Sequence, residues 1–283
     1  MEIFINKKPA NITLDTEKTL GDILSGIEQW ISPTGHRIKS LSMDGNNLAA
    51  GDLAQVFNKD ISEIVRLDIG ISSYRELSAE ALEDLTATCL LFAGASFEER
   101  SGIAEIWGNS PAANFLLSDM PDIFQLAANS FAGNGISAQD LMILLDERLR
   151  EIEDPEREIS NSETLIKKIS QRMQELPLDM QTGKDASAAE TIQLFSRMGE
   201  KLFRILFIFK SEGLIIGGFT IDNMPALNFL EEFKNALVEI SGAYRDQDTV
   251  LAGDIAEYEL SPRILRFFEA LKSIKISDIQ LLP

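Results

Sequence analysis

Between residues 187 and 210, Ile192, Phe195, Leu202, Ile205, Leu206 and Phe209 recur at the three-and-four spacing of one helix face. The second half adds Phe203, Phe207 and Ile208, so apolar side chains surround the axis there. Such a helix must be wrapped by others, and it is taken as the axis of a helical region. Upstream, Ser78 is expected to cap a helix carrying Leu82, Leu85, Cys89 and Phe92, stopped by Gly94. Ser96-Phe-Glu-Glu99 has capping-box spacing and opens a helix to Gly108. Ser110-Pro111 and Pro121 start two more, the second ended by Gly133-Asn134-Gly135. Ser137 caps a helix with Leu141, Leu144, Leu145, Leu149 and Ile152 on its face.

Residues 146–158 are dense in mixed charge, broken by Pro155, and read as a solvated elbow. Ser162 then opens a helix ended by Pro177, with 178–185 as a loop. After the axis, the glycines of 213–221 suit a tight turn or short extended strip, and Asn223 or Pro225 precedes a helix through Leu227, Leu230, Phe233, Leu237, Ile240 and Tyr244. Residues 249–260 and 263–274 form two last helices, divided at Ser261-Pro262.

The first seventy residues follow a different period. Met1, Ile3 and Ile5 alternate with Glu2, Phe4 and Asn6 as in a strand; Lys8-Pro9-Ala10-Asn11 turns the chain, and Ile12-Thr13-Leu14 returns. Leu20, Ile23, Leu24, Ile27 and Ile31 mark a helix face, closed by Ser32-Pro33-Thr34-Gly35. Strand signals resume at 38–43, turn at Asp44-Gly45, and end in a strand alternating through Val65, Leu67 and Ile69.

Hairpin, helix, strand, turn and strand in this order resemble the ubiquitin-like β-grasp family. Met1-Glu-Ile-Phe-Ile5 matches its opening strand, Ile12-Thr-Leu14 its second, and Leu41-Ser-Met-Asp-Gly-Asn-Asn-Leu48 its third strand and turn. The resemblance covers about a quarter of the chain and implies a small docking module or a cap on the helices. Two departures stand out. Ubiquitin-type modifiers end in a free Gly-Gly, whereas Ile69-Gly70-Ile71-Ser72 runs on, so conjugation is not expected. Ser42 occupies the position of a branched aliphatic residue in the family's recognition patch. The expected fold class is α+β, with a ubiquitin-like head over 1–71 and a larger all-α domain over 72–283.

Charge changes the picture more than composition does. The net charge is −19, of which residues 1–70 carry −3 (7 Lys/Arg, 10 Asp/Glu) and the remainder −16 (19 and 35). An acidic chain argues against nucleic acid and against anionic lipid, and a partner, if basic, should meet the helical part. One cysteine supports no internal disulfide, the N-terminus lacks a signal-peptide pattern, and 202–209 is far short of the ~20 apolar residues of a membrane span. The expected compartment is the cytoplasm.

Candidate chemistry is sparse. The lone His36 lies in a loop of the head, and Cys89 reads as core, so a nucleophile–base pair is not expected. Asp246, Asp248, Asp254 and Glu257 fall at the first, third, ninth and twelfth positions of a calcium loop, but Val250 and Leu251 stand at the fifth and sixth. Gly133-Asn-Gly follows a helix rather than a strand and reads as a turn. Lys167, Lys168 and Arg172 read as ion-pair partners within the chain. Leu251, Asp254, Ile255 and Tyr258 share one helical face, so Asp254, with Glu257 and Tyr258, is the candidate polar core or interaction site.

These readings favour a non-enzymatic adaptor or scaffold without cofactor or metal, binding another protein and a second copy of itself. The alternatives are an assembly or secretion chaperone with an acidic client-binding surface, and a small-molecule binder or enzyme with a site near Asp254, Glu257 and Tyr258.

Overall fold

The structure is a computed structural model that describes residues 1–14, 16–48, 50–215 and 219–274. The chain is α+β: a five-stranded mixed sheet comes first and helices follow. It divides into two compact units, Met1–Leu149 with Ser211–Gly213, and Arg150–Lys210 with Leu214–Pro283.

The sheet holds β1 (Glu2–Ile5), β2 (Lys8–Pro9), β3 (His36–Met43), β4 (Asn46–Leu48) and β5 (Arg66–Ser73) in the order β2-β1-β5-β3-β4. Only β1 and β5 run parallel. Helix α1 (Leu20–Ile31) buries Leu20, Ile23, Leu24, Ile27 and Ile31 in one cluster with Ile3, Leu41, Leu67 and Ile69 of the sheet. A capping box between Thr19 and Asp22 fixes its start. This arrangement is that of a β-grasp-like head followed by helices.

Three expectations for the head need correction. The hairpin turns at Asn6-Lys7, both in the left-handed region (φ 48° and 66°), with Ile5 opposite Lys8. Asn tolerates that conformation, and Pro9, lacking an N–H, sits on the edge strand. Residues 12–14 therefore form no strand. The last strand starts at Arg66, leaving Val65 exposed, and an unanticipated short helix α2 (Ala50–Val56) lies between β4 and β5.

Helix α3 (Tyr74–Gly94) starts directly from β5, capped by Ser73 and Glu76; Ser78 is buried inside it rather than at its end. Helices α4 (Phe97–Gly108), α5 (Pro111–Asp119) and α6 (Pro121–Phe131) begin at the caps and prolines expected of them. Ser137 bonds the Asp140 N–H at the start of α7 (Ala138–Glu153).

In the second unit α8 (Pro155–Gln181) runs through both Ser162 and Pro177, so the expected loop shrinks to 182–184. The axial helix is α9 (Asp185–Ser211), with Phe195, Leu202, Ile205 and Phe209 buried and Phe207 half exposed. A hairpin of β6 (Thr220–Ile221) and β7 (Met224–Pro225) leads into α10 (Ala226–Arg245). The rest of the glycine strip, 216–218, lies outside the described residues. Helix α11 (Thr249–Asp254), a π-helical turn Ile255–Leu260 and α12 (Ser261–Lys272) then follow without a break, Leu260 and Ser261 both having helical backbone angles. Ser261-Pro262 is therefore no stop. The Pro262 ring would crowd the carbonyl four residues back in an α-helix, and a wider turn relieves that clash.

The elbow falls where expected, between α7 and α8 at Asp154, but it is not solvated throughout. Asp154 caps α8 by accepting from the Arg157 N–H at 3.0 Å. Glu151 is 1% exposed and receives two 2.8 Å bonds from the Arg204 guanidinium. Glu158, also buried, pairs with Lys201 at 2.7 Å and Arg150 at 3.9 Å. Charge density alone could not show this, because the partners lie some fifty residues away on α9.

Candidate functional site

The chain that builds the candidate site runs from the β6–β7 hairpin to α12. Asp222 and Asn223 take left-handed angles (φ 54° and 63°), the two-residue turn that matches strand twist. Phe229, Phe233, Ala236, Ile240 and Ala243 then form the buried stripe of α10. Asp248 accepts from the Leu251 N–H at 3.0 Å and caps α11. The run that partly matches calcium-loop positions is thus a capped helix start, and among the described residues no three metal-ligating side chains converge.

Asp254 is exposed, which corrects the shared-face expectation. Of Leu251, Asp254, Ile255 and Tyr258 only Ile255 is buried; the inward face is Ala252, Gly253, Ile255, Ala256 and Leu260. The reason is close approach: a Cβ on Gly253 would stand 2.9 Å from the Pro177 ring. Small residues face α8 there and the bulkier Leu251 and Tyr258 turn outward. Hydropathy spacing gives alanine and glycine little weight, so it selected the wrong face.

Turned outward, Tyr258 borders an open cavity of about 170 Å³. Ile221, Met224, Phe229 and Pro262 supply its apolar lining, and Asp222, Glu232, Glu259, Arg263 and Arg266 its charges. Both guanidiniums are engaged. Arg263 bonds Glu259 at 2.8 Å and Glu232 at 3.3 Å, and Arg266 forms an ion pair with Asp222 at 2.8 Å. The Tyr258 phenol sits among carboxylates: the charge of Glu257 and its hydrogen bond, with Asp254 close by, push its pKa up. Of the three residues singled out in the sequence, only Tyr258 lines the cavity; Asp254 and Glu257 lie beside its phenol. The two arginines were missed, although Glu259-x-x-x-Arg263 is a helical ion-pair spacing.

The other residues noted in the sequence lie apart from this cavity. Cys89 is buried in α3 and its thiol is pushed up to about 11 by desolvation, which leaves it protonated and unreactive. His36 Nδ1 lies 3.0 Å from both the Thr34 hydroxyl and its carbonyl. Lys167 pairs with Glu163 at 2.7 Å and Arg172 with Glu190 at 3.2 Å, as expected of them. Among the described residues no helix is long and apolar enough to cross a membrane.

No curated protein and no solved structure matches the chain. Two family models do. Residues 1–73 match one described as the TP0873 N-terminal domain, which covers the sheet and ends where α3 is capped. Residues 158–270 match one described as a domain of unknown function (DUF8042), and every residue lining the cavity falls within that span.

Proposed function

We propose that the chain is a non-enzymatic, cytoplasmic adaptor that binds another protein through the groove beside Tyr258. The observation that carries this is the groove's own make-up. Its volume of about 170 Å³ lies below the ~300–1,000 Å³ usual for small-molecule sites. Its charged groups are tied to one another in ion pairs rather than poised for proton transfer. An exposed tyrosine over an apolar floor, rimmed by arginine, is instead the composition favoured at protein–protein contacts. The head reads as a ubiquitin-like docking module on its β1–β2 hairpin, α1 and mixed sheet. Self-association is a second part of the proposal, supported by the exposed Leu90, Leu91, Phe97, Ile106 and Ile143 of α3, α4 and α7.

A photo-crosslinking amino acid at position 258, expressed in the native cell, tests the reading against the same group at exposed Glu239 on α10. Discrete adducts from 258 and none from 239 are expected; identical patterns from both would overturn the groove as a docking site. Light scattering on the purified chain reads the mass, and a monomer at all concentrations would remove the self-association.

A further inference from the structure

Resting on that docking reading, we infer that the groove's occupant is a short basic segment of a partner protein. One apolar side chain of that segment is seated on the Ile221, Met224, Phe229 and Pro262 floor. A flanking lysine or arginine lies against the Tyr258 ring between Glu257 and Asp254.

Size, charge and aromatic placement lead to this occupant independently. A cavity of about 170 Å³ is close to the roughly 150 Å³ that accommodates one benzene-sized group, so it takes one bulky side chain and not a helix face. Ile221 and Phe229 are almost wholly buried and close the bottom, which makes that side chain apolar. Among the charged residues lining it, Asp222, Glu232 and Glu259 outnumber Arg263 and Arg266 by three to two, and Glu257 and Asp254 add two more carboxylates beside the Tyr258 phenol. An acidic segment would have to pull an arginine from a carboxylate 2.8 Å away before gaining a contact. A cation meets carboxylates that are only partly neutralised. Tyr258, 68% exposed, presents a ring face that attracts the cation of a lysine or arginine. The net charge of −19 speeds the encounter with a basic partner at low salt and adds nothing to its register.

The test uses the full chain and fluorescein-labelled nonapeptides read by anisotropy. One carries Lys-Lys-Leu-Lys in a glycine–serine background, the second has Ser for Leu, and the third Glu for each Lys. Binding of the first is expected, with about fivefold weaker binding of the second and none of the third. Tyr258→Ala is expected to weaken the first peptide by about threefold. The charge reversal Glu257→Lys with Asp254→Lys should weaken it further, whereas Asp84→Lys on α3 leaves it unchanged. Circular dichroism confirms that each variant is folded. Equal binding of both basic peptides, insensitive to Tyr258, would mean diffuse attraction to an acidic surface and overturns the inference. Binding of the acidic peptide overturns it too. If position 258 crosslinks a partner while no peptide binds, the basic segment falls and the docking role stands; if neither occurs, both fall.

Discussion

A methyl group on Gly253 would stand 2.9 Å from Cβ and 3.0 Å from Cγ of Pro177, atoms of a ring that cannot rotate away. Gly253→Ala gains roughly 1 kcal/mol of helix propensity but forces the two helices apart, at a cost of about 1–3 kcal/mol. A net loss in urea denaturation is therefore expected, and a stabilised variant would show that the contact is slack. The same contact explains why the outward position of Tyr258 was not legible: nothing local to 249–260 announces that Pro177 will pack on it. A second prediction concerns Glu163, whose carboxylate accepts from Lys167 and Lys272 at 2.7 Å each and is held down to about 2. A depressed carboxylate stabilises the fold above its ordinary value of 4.5, and that contribution fades as pH falls towards 2. Glu163→Gln should thus melt below the unsubstituted chain at neutral pH, and the gap should close on acidification through this window. A gap independent of pH would exclude the ion pairs as its cause.

Whole elements were legible where their signals are local. Ser96 with Glu99, Ser110 with Pro111, and Gly133 each mark a helix end by bonds made within four residues, and all three hold. Period-two alternation likewise located β1, β3 and β5, because one face of each meets α1. What failed were prolines and charges, whose effect depends on distant neighbours. Pro177 reads as a stop, yet α8 continues through it to Gln181, with its ring packed close to Gly253. Residues 146–158 read as solvated, yet Glu151 is buried against Arg204. A buried pair contributes little beyond a well-packed apolar pair, but removing one partner leaves the other charge buried with weaker compensation. Arg204→Met is accordingly expected to cost about 3 kcal/mol in chemical denaturation. Glu151→Leu with Arg204→Met should restore part of that loss. A single variant as stable as the original chain would show that the Glu151 charge is compensated without Arg204.

On the scale of the whole molecule, the two compact units have separate buried clusters. In the first unit, Ile3, Leu20, Ile27, Leu67 and Ile69 belong to the cluster under the sheet. In the second, Ile166, Phe195, Phe209, Phe233 and Phe267 belong to another. The tryptophans allow the units to be watched apart. Both of them, Trp30 in α1 and Trp107 in α4, belong to the first unit, so indole fluorescence reports on that unit alone. Far-ultraviolet circular dichroism reports on both, with α8, α9, α10 and α12 contributing much of its helical signal. If each unit unfolds around its own core, Gly253→Ala and Arg204→Met lower the midpoint seen by dichroism and leave the fluorescence midpoint where it was. Coincident curves that move together in both variants would mean one cooperative transition, and the units would then share their stability. Trp107 is the sharper probe of the two: it is buried against Phe124 and Phe131, so its emission shifts when that packing is lost, whereas Trp30 is 65% exposed and changes little.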